Sequence, residues 1–102
     1  MKEDVYRFFL EDLGLGHDDA EPLYESFLES FAETVAELRD ARADDEAALR
    51  RITHSIIGFS QNVGAGDLLE AARRLNAAAK AGDAEACTKG AADIVALYEA
   101  YK

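Results

Sequence analysis

The stretch Leu49-Arg50-Arg51-Ile52-Thr53-His54-Ser55-Ile56-Ile57-Gly58-Phe59-Ser60-Gln61-Asn62-Val63-Gly64-Ala65 decides how this chain is read. Its apolar residues recur at helical spacing: at about 100° per residue, Leu49, Ile52, Ile56, Phe59 and Val63 share one narrow sector. His54 projects roughly 170° from the centre of that sector, so its imidazole is expected to point into water and not into a core. One turn later, over the same spot, stands Gly58, which costs a helix interior about 1 kcal/mol relative to alanine. It offers only the absence of a side chain. The pair therefore predicts that something large comes close to His54.

Working outward from this helix, the periodicity divides the chain into five helical segments. A short one runs from about Glu3 to Leu13, with Val5, Phe8 and Phe9 inward and Gly14 and Gly16 ending it. The loop Leu15 to Glu21 carries His17, and Pro22 suits the first turn of a long second helix. There Tyr24, Phe27, Leu28, Phe31, Val35 and Leu38 form a stripe, opposite a solvated ridge of Glu25, Glu29, Glu33, Glu37 and Asp40. The third helix begins near Asp44 or Asp45, whose carboxylates suit an N-terminus, and runs to about Val63, where Gly64 and Gly66 break it. Asp67 is expected to cap a fourth helix with Leu68, Ala72, Leu75 and Ala79 inward. Gly82 then takes a left-handed C-terminal position and Asp83 caps the fifth helix, whose stripe is Cys87, Ala91, Ile94, Tyr98 and Tyr101. Short connections make these helices antiparallel neighbours. The expected fold is all-α: an up-and-down antiparallel four-helix bundle with an additional short N-terminal helix alongside it or over one end, forming a single domain over residues 1–102.

Composition narrows the function. The 102 residues carry a formal net charge of −10, so a polyanion is repelled and nucleic acid is not an expected partner. The chain opens with the charged Met1-Lys2-Glu3-Asp4, and no apolar run approaches the roughly 18 residues of a membrane span. One cysteine, Cys87, excludes an intrachain disulfide and suits a reducing compartment. A cytoplasmic monomer, away from membranes, is the expectation. Metal binding lacks ligands, because the two histidines are distant and Arg51 stands where a Glu-x-x-His pattern needs its glutamate. Gly64-Ala65-Gly66 is no phosphate loop, since neither a strand nor Gly-Lys-Ser/Thr accompanies it.

The residues around His54 also resemble the histidine-containing phosphotransfer (HPt) family, which includes the phosphorylated domain of chemotaxis kinases. That family has the motif His-x-(aliphatic)-Lys-Gly, then small residues and a glycine ten positions after the histidine. His54, Ile56, Gly58, Ser60 and Gly64 match it, and the likeness continues through Leu68, Leu75 and the Gly82-Asp83 corner. The sharp likeness covers about a third of the chain, and the helix layout extends it over most of the rest. One departure is plain: Ile57 stands where the family has lysine.

The resemblance implies a phosphoryl carrier, not a self-sufficient enzyme. His54 is the expected phosphoacceptor in a two-component phosphorelay, with response-regulator receiver domains, a sensor histidine kinase or both as partners. No cofactor is expected on this chain, because the Mg2+ that serves transfer belongs to the receiver or kinase. The chemistry asks little of the carrier: an exposed imidazole, with an ordinary pKa of about 6.5, is largely neutral at cellular pH and has a lone pair to attack with. Transfer is mostly positioning and electrostatic stabilisation.

A phosphohistidine adds about two negative charges, so its surroundings matter. Arg50, one turn before His54, and Arg51, on its flank, are candidates to bind the phosphoryl oxygens. They also read as ordinary surface arginines paired with Glu46 or Asp45. Gln61 is a weaker candidate for a neutral hydrogen bond. Asn76 aligns with a glutamate like the one chemotaxis kinases use to orient the ring, although a boundary polar residue is the plainer reading. Tyr6, Leu10 and Ile57, with Gly58 beside them, are the expected partner-docking residues; Ile57 projects about 130° from the core stripe and is expected to be largely exposed. His17 reads as a solvated loop histidine and Cys87 as a small core hydrophobe. Two other functions fit the same sequence: an adaptor of the same fold that docks receivers without transfer, and an unrelated bundle that dimerises through exposed apolar residues.

Overall fold

The computed structural model describes all 102 residues, folded as five α-helices without strands. They are α1 (Lys2–Arg7), α2 (His17–Asp40), α3 (Glu46–Val63), α4 (Gly66–Ala81) and α5 (Ala84–Tyr101), and a π-helical turn, Phe8–Asp12, extends α1. The last four form the antiparallel bundle, and the whole molecule is a rod of 43 × 20 × 19 Å. Its length follows from α2, whose 24 residues span about 36 Å at 1.5 Å each.

The core is one cluster. Phe27, Phe31, Val35 and Leu38 of α2 meet Leu49, Ile52 and Ile56 of α3, with Leu68, Leu75 and Ile94 closing it from α4 and α5. The Phe27 and Phe31 rings pack at 5.9 and 6.0 Å from Phe59 and at 5.5 and 6.2 Å from Tyr101. No buried side-chain nitrogen or oxygen lacks a partner.

Helix ends fall largely where their chemistry puts them. The carboxylate of Asp45 accepts from the Ala48 N–H at 3.1 Å and that of Asp83 from the Ala86 N–H at 3.0 Å, as N-caps do. Gly64 and Gly82 end α3 and α4 in the left-handed region, at φ 68° and 69°. Gly64 has a second reason to be glycine: a Cβ there would lie 2.6 Å from Cγ of Phe8. The Phe8 ring sits on that glycine and the Tyr6 ring lies 5.4 Å from Tyr24, so α1 and its π turn cover one end of the bundle.

Two boundaries differ from the sequence expectation. Helix α2 begins at His17, not near Pro22, and so includes much of the expected loop. Gly16 is its N-cap and Asp18 and Asp19 occupy its first turn, where carboxylates favour the positive end of the helix dipole. Pro22 costs one backbone bond there, to a residue close enough to the helix end for water to serve it. His17 is exposed, as expected, but as a helical residue. Gly66 opens α4 where a break was expected, and Ala65 is the N-cap. Asp67 therefore lies within the first turn, where its carboxylate accepts from the Leu68 N–H at 2.8 Å and the Tyr101 hydroxyl at 2.6 Å.

Candidate functional site

Helix α3 presents His54 to solvent by burying the residues on either side of its axis. Ile52, Thr53 and Ile56 are fully buried, whereas His54, Ser55 and Gly58 are exposed. Nothing lies within 4 Å of the place where a Cβ on Gly58 would stand. The contrast with Gly90 of α5 is informative, because a Cβ there would meet Leu75 at 3.3 Å. Gly90 thus has a packing reason within the chain, and Gly58 has none.

Beside His54 runs an open groove of about 610 Å³ between α3 and α4. Arg50, Arg51, His54 and Ile57 line it from α3, and Asn76 and Lys80 line it from α4. The two arginines are already engaged. Arg50 meets Glu46 at 3.5 Å within α3, and Arg51 reaches across to Glu37 of α2 at 2.8 Å. Both pairs are largely exposed, so each holds its arginine weakly, by about 0–1 kcal/mol. Arg50 takes the partner expected for it. Arg51 takes a different one, Glu37 of α2, while Asp45 serves as the N-cap of α3.

The far wall meets α3 through Thr53. The Thr53 hydroxyl lies 3.0 Å from the Arg50 carbonyl and 3.2 Å from Asn76 Oδ1, sharing its single proton between them. Asn76, half-buried, is thereby fixed at the level of His54. Gln61 is exposed two turns along α3 and does not line the groove.

The expected apolar docking residues Tyr6, Leu10 and Ile57 all pack partly against the core. Ile57 is half-buried and packs against the core, contrary to the expectation of a largely exposed side chain. An angle of about 130° from the stripe still meets a neighbour when α4 packs closely along that flank. Tyr6 and Leu10 are also half-buried. Tyr6 is taken up by Tyr24 and Phe9 at the covered end of the bundle, whereas Ile57 faces the groove.

Two residues of this site escaped the sequence reading, Thr53 and Lys80. Thr53 lies on the buried flank of α3, where its bond to the Arg50 carbonyl is local but its contact with Asn76 of α4 is recorded by no sequence pattern. Lys80 had a readable signal, because it stands four residues after Asn76 and so shares a helix face with it. Elsewhere, Cys87 is buried, and burial pushes its thiol above the ordinary range. No group of histidines, cysteines and carboxylates could hold a metal ion, and no helix is long and apolar enough to cross a membrane.

Compared with known proteins, residues 22–102 match the model of one family, described as the Hpt domain. No curated protein and no solved structure matches the chain.

Proposed function

The chain belongs to the Hpt domain family, the phosphocarrier modules of two-component signalling, and from that premise we propose that it carries a phosphoryl group on His54 between aspartates of receiver domains, or from a histidine kinase to such an aspartate. The observation that supports this reading most is the exposed His54 with unoccupied space over Gly58 one turn later. A mid-helix glycine that packs against nothing in its own chain makes room for a partner.

In the proposed step a lone pair on one ring nitrogen of His54 attacks the phosphorus of the partner's aspartyl phosphate. The new N–P bond forms as the acyl P–O bond breaks, and the carboxylate leaves with the electron pair. The ring's second nitrogen then gives its proton to solvent. The metal ion and cations that stabilise the moving group are the partner's. This chain contributes a rigid helix, an open approach and a groove for the product's charge. It acts as a monomer, and a receiver docks over the open space at Gly58, with the half-buried Ile57 at the edge of that contact.

Transfer from receiver domains carrying labelled aspartyl phosphate tests the reading. The label is expected to move to the chain within the receiver's own phosphoryl lifetime and to return to aspartate when excess unphosphorylated receiver is added. A chain that binds receivers and takes up no label would be the adaptor instead. Association into stable dimers with neither receiver binding nor uptake would favour the dimerising bundle.

A further inference from the structure

The α4 wall of the groove holds polar groups that the transfer step above does not use. Thr53 is fully buried, and its hydroxyl holds the oxygen of the Asn76 amide. The amide NH2 has no hydrogen-bond partner within the protein, and Asn76 lines the groove, where those two N–H donors are available to a ligand. One turn on, Lys80 lines the same groove. It is the only cation there with no carboxylate in salt-bridge range, since Arg50 holds Glu46 and Arg51 holds Glu37. In a chain of net charge −10, an unpaired ammonium in the same groove as His54 is free to meet an anion.

Ile57, in the position of the family's lysine, faces this groove from the other side. The missing charge and the unpaired charge therefore face one cavity. Building on His54 as the carrier, we propose that α4 supplies the phosphoryl-binding groups of this protein: Lys80 as the counter-charge in place of a lysine at position 57, and Asn76, positioned by Thr53, as a neutral donor.

The effect has a sign. A bonded phosphoryl dianion has more charge on its peripheral oxygens than the metaphosphate-like group of a loose transition state. An ammonium on those oxygens therefore holds phosphohistidine more than it holds the state through which it decays, so Lys80 lengthens the life of the phosphorylated form.

The test needs no partner protein. The full chain is phosphorylated with phosphoramidate, the donor is removed, and the decay of phosphohistidine is followed by phosphorus NMR at low and high salt. Lys80→Ala is expected to shorten the lifetime about two- to fivefold at low salt, the size of an exposed charge contact. Added salt should shrink the difference, Lys80→Arg should keep the wild-type lifetime, and adding Ile57→Lys to Lys80→Ala should restore it. Thr53→Val and Asn76→Ala should each shorten it, and less than additively when combined, because Thr53 acts through Asn76. A Lys80→Ala chain that loses thermal stability but keeps the wild-type lifetime would overturn the proposal, leaving Lys80 as a helix-end charge at the close of α4. Failure of the wild-type chain to form phosphohistidine at His54 would overturn the carrier reading itself, and this inference with it.

Discussion

Gly58 carries the argument at the scale of the residue because it is the least favourable choice for its own helix. Replacing it with glutamine is expected to raise helix stability by roughly 0.5 kcal/mol and to block receiver-dependent transfer, since the new side chain enters the open space beyond His54. Denaturation midpoints and transfer rates measured on one preparation check both halves; normal transfer in a folded Gly58→Gln chain would show that the space is not used. At this scale the sequence was legible wherever a side chain's direction follows from helical geometry. His54 and Gly58 are exposed and Ile52 and Ile56 are buried for that reason. Ile57 was misjudged because projection about one helix axis takes no account of how closely the next helix packs. The same error predicts a cost: Ile57→Lys should lose about 0.5–1 kcal/mol of folding stability through lost apolar contact while lengthening the life of phosphohistidine. An unchanged denaturation midpoint together with an unchanged lifetime would mark Ile57 as a neutral replacement.

Among the elements, the ends of α3 and α4 make a controlled pair. Gly64 and Gly82 have the same left-handed conformation, yet only Gly64 lies under a ring, that of Phe8. Gly82→Ala should therefore cost about 1 kcal/mol of conformational strain alone. Gly64→Ala should cost clearly more, about 2–3 kcal/mol, because Phe8 and the π turn must shift as well. Equal losses by chemical denaturation would mean that α1 yields without resistance. The left-handed cap of α4 was readable from Gly82-Asp83, and Gly64 was readable as the stop of α3, as local chemistry decides both. The start of α2 was not, because a proline one turn inside a helix looks like a proline that begins one. The role of Asp67 was hidden for a different reason: its partner Tyr101 is 34 residues away, and no local pattern records that bond.

For the whole molecule, two tyrosines tie the chain's end to the start of the bundle. The Tyr24 hydroxyl donates to the Tyr101 carbonyl at 2.6 Å, and the Tyr101 hydroxyl donates to Asp67. Burial pushes the Tyr24 phenol from its ordinary 10 up to about 12, and burial together with the Asp67 carboxylate pushes Tyr101 up as well. Both groups are neutral in the fold and ionise more readily when unfolded. The stabilisation from Tyr24 is therefore complete below pH 10 and is lost as pH rises through about 12. Tyr24→Phe should flatten that alkaline descent while costing about 1 kcal/mol at neutral pH, as thermal melts across the pH range will show. The role proposed for the bundle as a whole is to display His54 as the phosphoacceptor. The most direct test of that claim is to phosphorylate the wild-type and His54→Gln chains in parallel and locate the modification by peptide mapping. A single acid-labile, alkali-stable phosphoryl group on His54, absent from the variant, is the predicted result; label that persists in His54→Gln, or that maps to His17, would contradict it.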